Sequence, residues 1–551
     1  MARNRCPTSQ NVFYCAAVAF NLSDFVEHTV DAVPDRTALI CGDRQITFAE
    51  LEDRSNRLAH HLAAQGIGQN DHVAIYSYNS IEFVESMLAA YKLRAVPINV
   101  NFRYVEDELV YLLDNSDSVA LVFQAQFAPL VAAIRPRLPG LRHLVVVDDG
   151  TPDALDVGAV PYDKALAAAS PERDFPPRSD DDIYILYTGG TTGYPKGVVW
   201  RHEDVWRVLG GGIDFVTGVR IEDEHEMSRV AAESQPTVGL VLAPLMHGAA
   251  QWGTLGGLFR GTTSVLLEQF DAHAVWAAVE KYRIATLAIT GDAMARPLID
   301  ALREREYDTS SLVAISSTAA VFSPVMKDQL FELLPNLFIS EAVGSSESGF
   351  NGMRLVERGA TAGTSGLVNV SRGPDTIVID DENRPVQPGE TGRMARGGNV
   401  PLEYYKDPER SAATFVEVEG RRYSVPGDFA RLELDGTMTL LGRGSQCINS
   451  GGEKIYPEEV EAALKAHPKV FDALVVGIDD ERWGQRVAAV VEARPGTTPT
   501  LEELDQHCRT RIAGYKVPRS LHLVDTMPRH PSGKPDYRRA EAAARSAEEA
   551  S

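Results

Sequence analysis

Between residues 72 and 124 one pattern recurs. A short apolar run is followed by a longer segment whose apolar residues return at helical spacing. HVAIYSY precedes SIEFVESMLAAYKL, AVPINV precedes VEDELVYLLDNS, and VALVFQ closes the series. Short apolar runs read as buried strands and the intervening segments as amphipathic helices. Strands that alternate with helices bury both elements as a mostly parallel sheet covered by helices. The rhythm returns from 238 to 345 in VGLVLAPL, VWAAVEKYR, IATLAIT, SLVAISS and FISEAVGSS. An α/β fold is therefore expected, with a large N-terminal domain of two helix-covered βα sheets.

The texture changes twice more. Ahead of the first unit, residues 22–66 read as helix, hairpin, helix, with Thr47 as N-cap and Glu50 completing a capping box. Residues 151–180, rich in Pro, Asp and Ser, read as a connection. From 363 to 442, short strands and turn signals predict a small β-barrel-like subdomain. After Gly442 a compact α+β unit of about 100 residues begins. The expected boundaries are a loose extension over 1–17, an N-terminal domain over 18–442, a mobile C-terminal domain over 443–540, and a frayed low-complexity tail over 541–551.

Composition excludes several functions. Acidic residues outnumber basic ones 77 to 54, for a net charge of −23. Such a surface repels nucleic acid and anionic membranes, so an anionic substrate needs a local basic pocket. Five scattered cysteines without a C-x-x-C spacing argue against a disulfide framework and against a zinc site, and a reducing cytoplasm is expected. No run reaches the ~18 apolar residues of a membrane helix. The sequence does not give the oligomeric state, and a homodimer is compatible with it.

YTGGTTGYPKGV at 187–198 carries the first chemical signal. A strand that ends in Gly and Thr turns N–H groups and hydroxyls toward an anion, and Lys196 adds a point charge. The commonest phosphate loop does not fit, because Pro195 precedes the lysine and no Ser or Thr follows it. A flexible linker is the other use of such residues, but linkers rarely sit so tightly between apolar runs.

Further motifs follow in order: VGSSESG at 343–349, YSVPGDFA at 423–430, LGRGSQCINSGGEKIYPEEVE at 441–461, and PRHPSGKPDYR at 528–538. Together they resemble the adenylate-forming superfamily, which includes acyl-CoA synthetases, carrier-loading adenylation domains and beetle luciferases. The likeness runs from about residue 22 to 540.

The resemblance implies ATP, Mg²⁺ and coenzyme A. Thr188, Gly189, Gly190, Thr191, Thr192, Gly193 and Lys196 would wrap phosphates, and Glu347 would hold Mg²⁺. Ser317, Thr318, Ala319, Ser345 and Ser346 would meet the nucleotide. Asp428 and Arg443 would fix the ribose, and Lys534 would stabilise charge in the transition state. Thr192, Lys196, Glu347 and Lys534 are thus the catalytic candidates. Ser445 stands at the hinge of the small domain, where the family usually has Asp or Lys. Asn449, Gly451 and Gly452 would face the pantetheine chain.

The acyl pocket is expected at His247, Gly248, Asp292, Ala319, Ala320 and Gly344. Small walls leave room for a bulky acid, although helix–sheet contacts favour small residues equally. His247 reads as a gate or as a satisfied core histidine. RHEDVWRVLGGGIDF, GDAMARPL and STAAVFSP look most like actinobacterial ligases of steroid side-chain carboxylates. The implied function is ATP-dependent CoA-thioester formation on a steroid, polycyclic or terpenoid acid. Two alternatives are a ligase dominated by thioesterification of adenylate made by a partner and a carrier-loading enzyme. STAAVFSP lacks the usual glycines, and Glu403 replaces a common glycine, so adenylation is expected to be the more fragile half-reaction.

Overall fold

The computed structural model describes residues 20–152, 155–189, 194–214, 217–320, 322–359, 367–450, 453–480, 483–530 and 534–549. The expected extension at 1–17, together with Gly190 to Gly193, Gly451 and Gly452, lies outside them.

Two βα layers form the large domain. One sheet is parallel throughout, in the order Val96–Asn99, His72–Tyr76, Ser118–Gln124, His143–Val147, Val160–Pro161. His72–Tyr76 is buried along its whole length, as a near-continuous apolar strand requires. The other sheet runs parallel through Thr37–Cys41, Thr263–Leu266, Val238–Val241, Thr286–Ile289, Ala314–Ser317 and Phe338–Ser345. Helices cover both sheets. Phe48–Ala64 begins with the expected capping box: Thr47 Oγ1 accepts from the Glu50 N–H at 3.1 Å, and Glu50 Oε2 accepts from the Thr47 N–H at 2.7 Å. Lys92 closes the helix Ile81–Lys92 from a buried position. Its Nζ lies 2.6 Å from Glu27 and 2.8 Å from Glu52, which tie it to two neighbouring helices.

The region read as a separate barrel-like piece continues the second sheet. Gly349–Val356 turns back antiparallel on Phe338–Ser345. The ladder then passes through Asn369–Arg372, Met438–Arg443, Asp428–Leu432 and Thr391–Gly397. Parallel and antiparallel strands thus share one 15-stranded sheet, whose edge between the two parts opens into a cavity.

The C-terminal unit is α+β, as expected. Val470–Asp480 and Gly484–Ala493 form its central hairpin, flanked by Ile448–Ser450 and by the parallel strand Ser520–Val524. The frayed tail expected over 541–551 is corrected through residue 549. Tyr537–Glu549 is one helix, and Ala540 and Ala544 are fully buried against Leu474, Val476 and Val490. Two alanines four residues apart give a helix face narrow enough to pack closely on a sheet.

Candidate active site

Strand ends and turns from both domains line a cavity of about 280 Å³. Thr188 enters it from the end of Ile183–Thr188, beside Gly189. Lys196 opens the antiparallel partner Lys196–Arg201 directly across from Thr188. Lys196 Nζ lies 5.1 Å from the centre of the Tyr404 ring, and burial followed by Arg410 lowers its pKa. Tyr404 in turn donates its hydroxyl to Glu347 Oε1 at 3.1 Å.

Glu347, Ser345, Ser346 and Gly344 line the cavity from the Phe338–Ser345 turn. A β-carbon at 344 would lie 2.4 Å from the Gly349 carbonyl oxygen, so only glycine lets the hairpin close. Ser345 Oγ and Ser348 Oγ are 2.9 Å apart, and the Ser346 carbonyl accepts from Trp200 Nε1 at 3.0 Å. These bonds hold the turn that presents Glu347.

Ser317, Thr318, Ala319 and Ala320 form the opposite wall. The Ala320 N–H donates to the Thr318 carbonyl at 2.9 Å, and Ala319 between them has φ 66°. This is a three-residue turn whose central residue occupies the left-handed region, a conformation costly for any residue with a β-carbon.

Asp428 and Arg443 stand opposite each other on paired strands, with Arg443 Nε donating to Asp428 Oδ1 at 3.2 Å. Burial raises the Asp428 pKa, and Arg443 opposes the rise. Lys534 arrives from the C-terminal domain. Crowding in the cavity lowers its pKa, Arg443 adds to the effect, and Glu347 and Asp428 act against it. The residue as a whole is nonetheless exposed.

Three expected pocket residues are not among the cavity's lining. His247 caps the helix Gly248–Phe259, and its Nε2 is buried without a hydrogen-bond partner. Burial, then Lys534 and Arg103, push its pKa down to about 4. The Gly248 Cα packs on Leu186, which a β-carbon would meet at 2.5 Å. Asp292 accepts from the Ser323 N–H at 2.7 Å; burial raises its pKa, and Lys465 of the C-terminal domain opposes the rise. It belongs to an interdomain contact. Ser445 lies in the short turn Gly444–Gln446, and the Asn449 N–H donates to Gln485 at 2.9 Å.

Two residues escaped sequence reasoning. Tyr404, in PLEYYKD, orients Glu347; an aromatic pair in a loop was its only signal. Glu458 lines the cavity from the helix Pro457–Lys465, and its buried Oε2 has no hydrogen-bond partner. It packs on Gly442, whose φ is 113° and whose hypothetical β-carbon would fall 2.0 Å from that oxygen. Burial, then Glu461, push the Glu458 pKa up to about 8. Its place as the first acid in YPEEVE gave no hint of which way it points.

The family models for an AMP-binding enzyme and for the AMP-binding enzyme C-terminal domain match residues 26–405 and 459–534. The chain belongs to the AMP-binding enzyme family. A medium/long-chain-fatty-acid–CoA/3-oxocholest-4-en-26-oate–CoA ligase of Mycobacterium tuberculosis is 54% identical, covering 95% of this chain and 96% of that one. A 3-oxocholest-4-en-26-oate–CoA ligase of Rhodococcus rhodochrous is 52% identical over 95% of each chain. Among solved structures, the anthranilate CoA ligase AuaEII in complex with anthranoyl-AMP superposes with a TM-score of 0.83 at 22% identity, over 97% of this chain and 99% of that one. That likeness shows the fold. No helix among the described residues is long and apolar enough to cross a membrane.

Proposed function

We propose that this member of the AMP-binding enzyme family is an acyl-CoA ligase that joins a bulky acid of the steroid side-chain class to coenzyme A through an acyl-adenylate. One observation carries the reading: Lys534, from the C-terminal domain, shares a cavity with Thr188, Glu347, Asp428 and Arg443. The printed names of the Mycobacterium and Rhodococcus relatives supply the acid class.

In the first half-reaction a carboxylate oxygen attacks the α-phosphorus of ATP, and pyrophosphate leaves. Two anions must meet, so cationic and N–H donors at the reacting phosphate lower the barrier. Lys534 supplies charge at the α-phosphate and the acyl carboxylate. Thr188, Gly189 and Lys196 meet the outer phosphates. Asp428 accepts from the ribose hydroxyls, with Arg443 holding its carboxylate in place. The Glu347 carboxylate fits a hard dication: it lines the cavity and is oriented by the Tyr404 hydroxyl. Mg²⁺ bound there would neutralise phosphate charge. In the second half-reaction the coenzyme A thiol attacks the acyl carbonyl, and AMP leaves. Asn449, on the domain that follows Gly442, borders the thiol's approach in this reading; Gly451 and Gly452 lie outside the described residues.

The test is a panel of steroid side-chain, fatty and short acids, scored by mass for CoA thioester and by AMP release. Thioester from the bulky acids is expected. Thioester from short acids alone would overturn the acid class, and no AMP release with any acid would overturn the ligase.

A second reading has its own observation. The Ala319 turn holds an alanine where left-handed backbone favours glycine, beside the nucleotide wall of the cavity. Adenylation is then the weaker half-reaction, with thioesterification of ready-made adenylate the stronger. Acid-dependent pyrophosphate exchange at the rate of overall turnover would dispose of it.

A further inference from the structure

The helices Leu22–Ala32 and Glu226–Glu233 pack against each other away from the cavity, and three side chains converge where they meet. His28 projects from the first helix. Glu224 and His225 immediately precede the second. Glu224 Oε2 lies 3.9 Å from His28 Nε2, and Glu224 Oε1 lies 3.7 Å from His225 Nε2. Both separations exceed a hydrogen bond. The two imidazole rings lie with centroids 4.0 Å apart, tilted by 49° to each other. One donor atom from each residue lies within 4.8 Å of the other two.

His28 Nε2 is buried without a hydrogen-bond partner among the described residues. An orphaned buried ring nitrogen is costly unless something else occupies its lone pair or takes its proton. Burial, then His225, lower the His28 pKa. Glu27 and Asp31 add negative charge near His28, while Arg173 opposes them. The arrangement is not a hydrogen-bonded cluster. It has two imidazoles and a carboxylate between them, each slightly too far away to bond directly.

We propose that His28, Glu224 and His225 bind a divalent transition metal, of the zinc class, that clips the N-terminal helix to the segment leading into Glu226–Glu233. Two nitrogens and one carboxylate oxygen are a recurrent zinc donor set, and the exposed side at His225 leaves a fourth position for water. Metal–ligand bonds of about 2.0–2.1 Å in a tetrahedron separate donors by roughly 3.3 Å. The observed 3.7 and 3.9 Å gaps close with small side-chain rotations. The clip is structural. It would hold the segment ahead of Glu226–Glu233 against the helix Leu22–Ala32, whose Phe25 stacks on Trp206 with centroids 4.2 Å apart.

The experiment strips the full, tag-free chain with chelator and titrates it with zinc chloride by calorimetry, with Co²⁺ absorption reporting coordination geometry. One strong site, a tetrahedral Co²⁺ spectrum and a rise in Tm on saturation are expected. His225→Ala removes an exposed ligand with little risk to folding, and it should weaken zinc at least a hundredfold; Glu224→Gln and His28→Ala should also weaken it. His143→Ala is the control, because His61 and His143 form a separate histidine pair with 2.9 Å between ring nitrogens. Failure of the stripped chain to bind, or equal affinity in His225→Ala and wild type, or loss confined to His143→Ala, would overturn the proposal. None of these readouts depends on ligase activity.

Discussion

Arg296 offers a direct way to ask what holds Lys534 over the cavity. It lies on Gly291–Glu304 in the large domain, and its guanidinium stacks 3.6 Å from the centre of the Phe471 ring in the small one. Nη2 also donates to the Phe471 carbonyl at 3.0 Å. Asp292, about one helical turn earlier, faces Lys465, which sits 3.2 Å from Asp472; Arg529 lies 2.8 Å from the same carboxylate. Arg529 is five residues before Lys534 in the chain, so this contact positions the lysine's segment. Arg296→Ala removes a half-buried cation–π contact worth about 1 kcal/mol. It also removes a charged hydrogen bond worth about 1 kcal/mol net. The combined loss of about 2 kcal/mol corresponds to about 30-fold in the docked population. The assay is acid-dependent pyrophosphate exchange, read beside thioester formation from synthetic acyl-adenylate and beside Tm. Exchange should fall by up to that factor with Tm nearly unchanged, and Phe471→Ala, which loses the ring but keeps the carbonyl, should fall by about fivefold. If both variants exchange at the wild-type rate while Lys534→Ala is inactive, docking through Arg296 does not govern delivery of the lysine.

Lys534→Ala itself should raise the adenylation barrier by about 2–4 kcal/mol while sparing thioester formation from ready-made adenylate; equal losses in both assays would refute its role. Ala319→Gly relieves a left-handed alanine and should stabilise the turn by about 1 kcal/mol, with faster pyrophosphate exchange; slower exchange would mean that the methyl group itself contacts the nucleotide. Glu458 has its pKa raised from 4.5 to about 8 in the folded chain, so the buried neutral acid favours the folded state below about 4.5 and that contribution is lost as pH rises through 8. Glu458→Gln should therefore lose less stability than wild type between those limits in denaturation measured against pH, and parallel curves would refute the assignment.

The strand–helix rhythm of residues 72–124 and 238–345 was legible because burial on both faces writes itself into short continuous apolar runs. Thr47 and Glu50 foretold a helix start because a capping box is a local device. The ordered motifs around Thr188, Glu347, Asp428, Arg443 and Lys534 were legible too. The cavity that unites them was not, since its walls come from residues up to 346 positions apart, from Thr188 to Lys534. Asp292 looked like a pocket residue beside small neighbours. Its actual surroundings are Ser323 and the small domain's Lys465, because a helix residue's partners depend on which domain packs over that turn. Glu458 was indistinguishable from Glu459 in YPEEVE. The docking of a helix against Gly442 buries one carboxylate in the cavity and leaves the other paired with Lys516. Local propensity and apolar period reside in the order of residues. Charge burial, the direction a carboxylate faces and the meeting of two domains arise only when distant segments exclude water from one another.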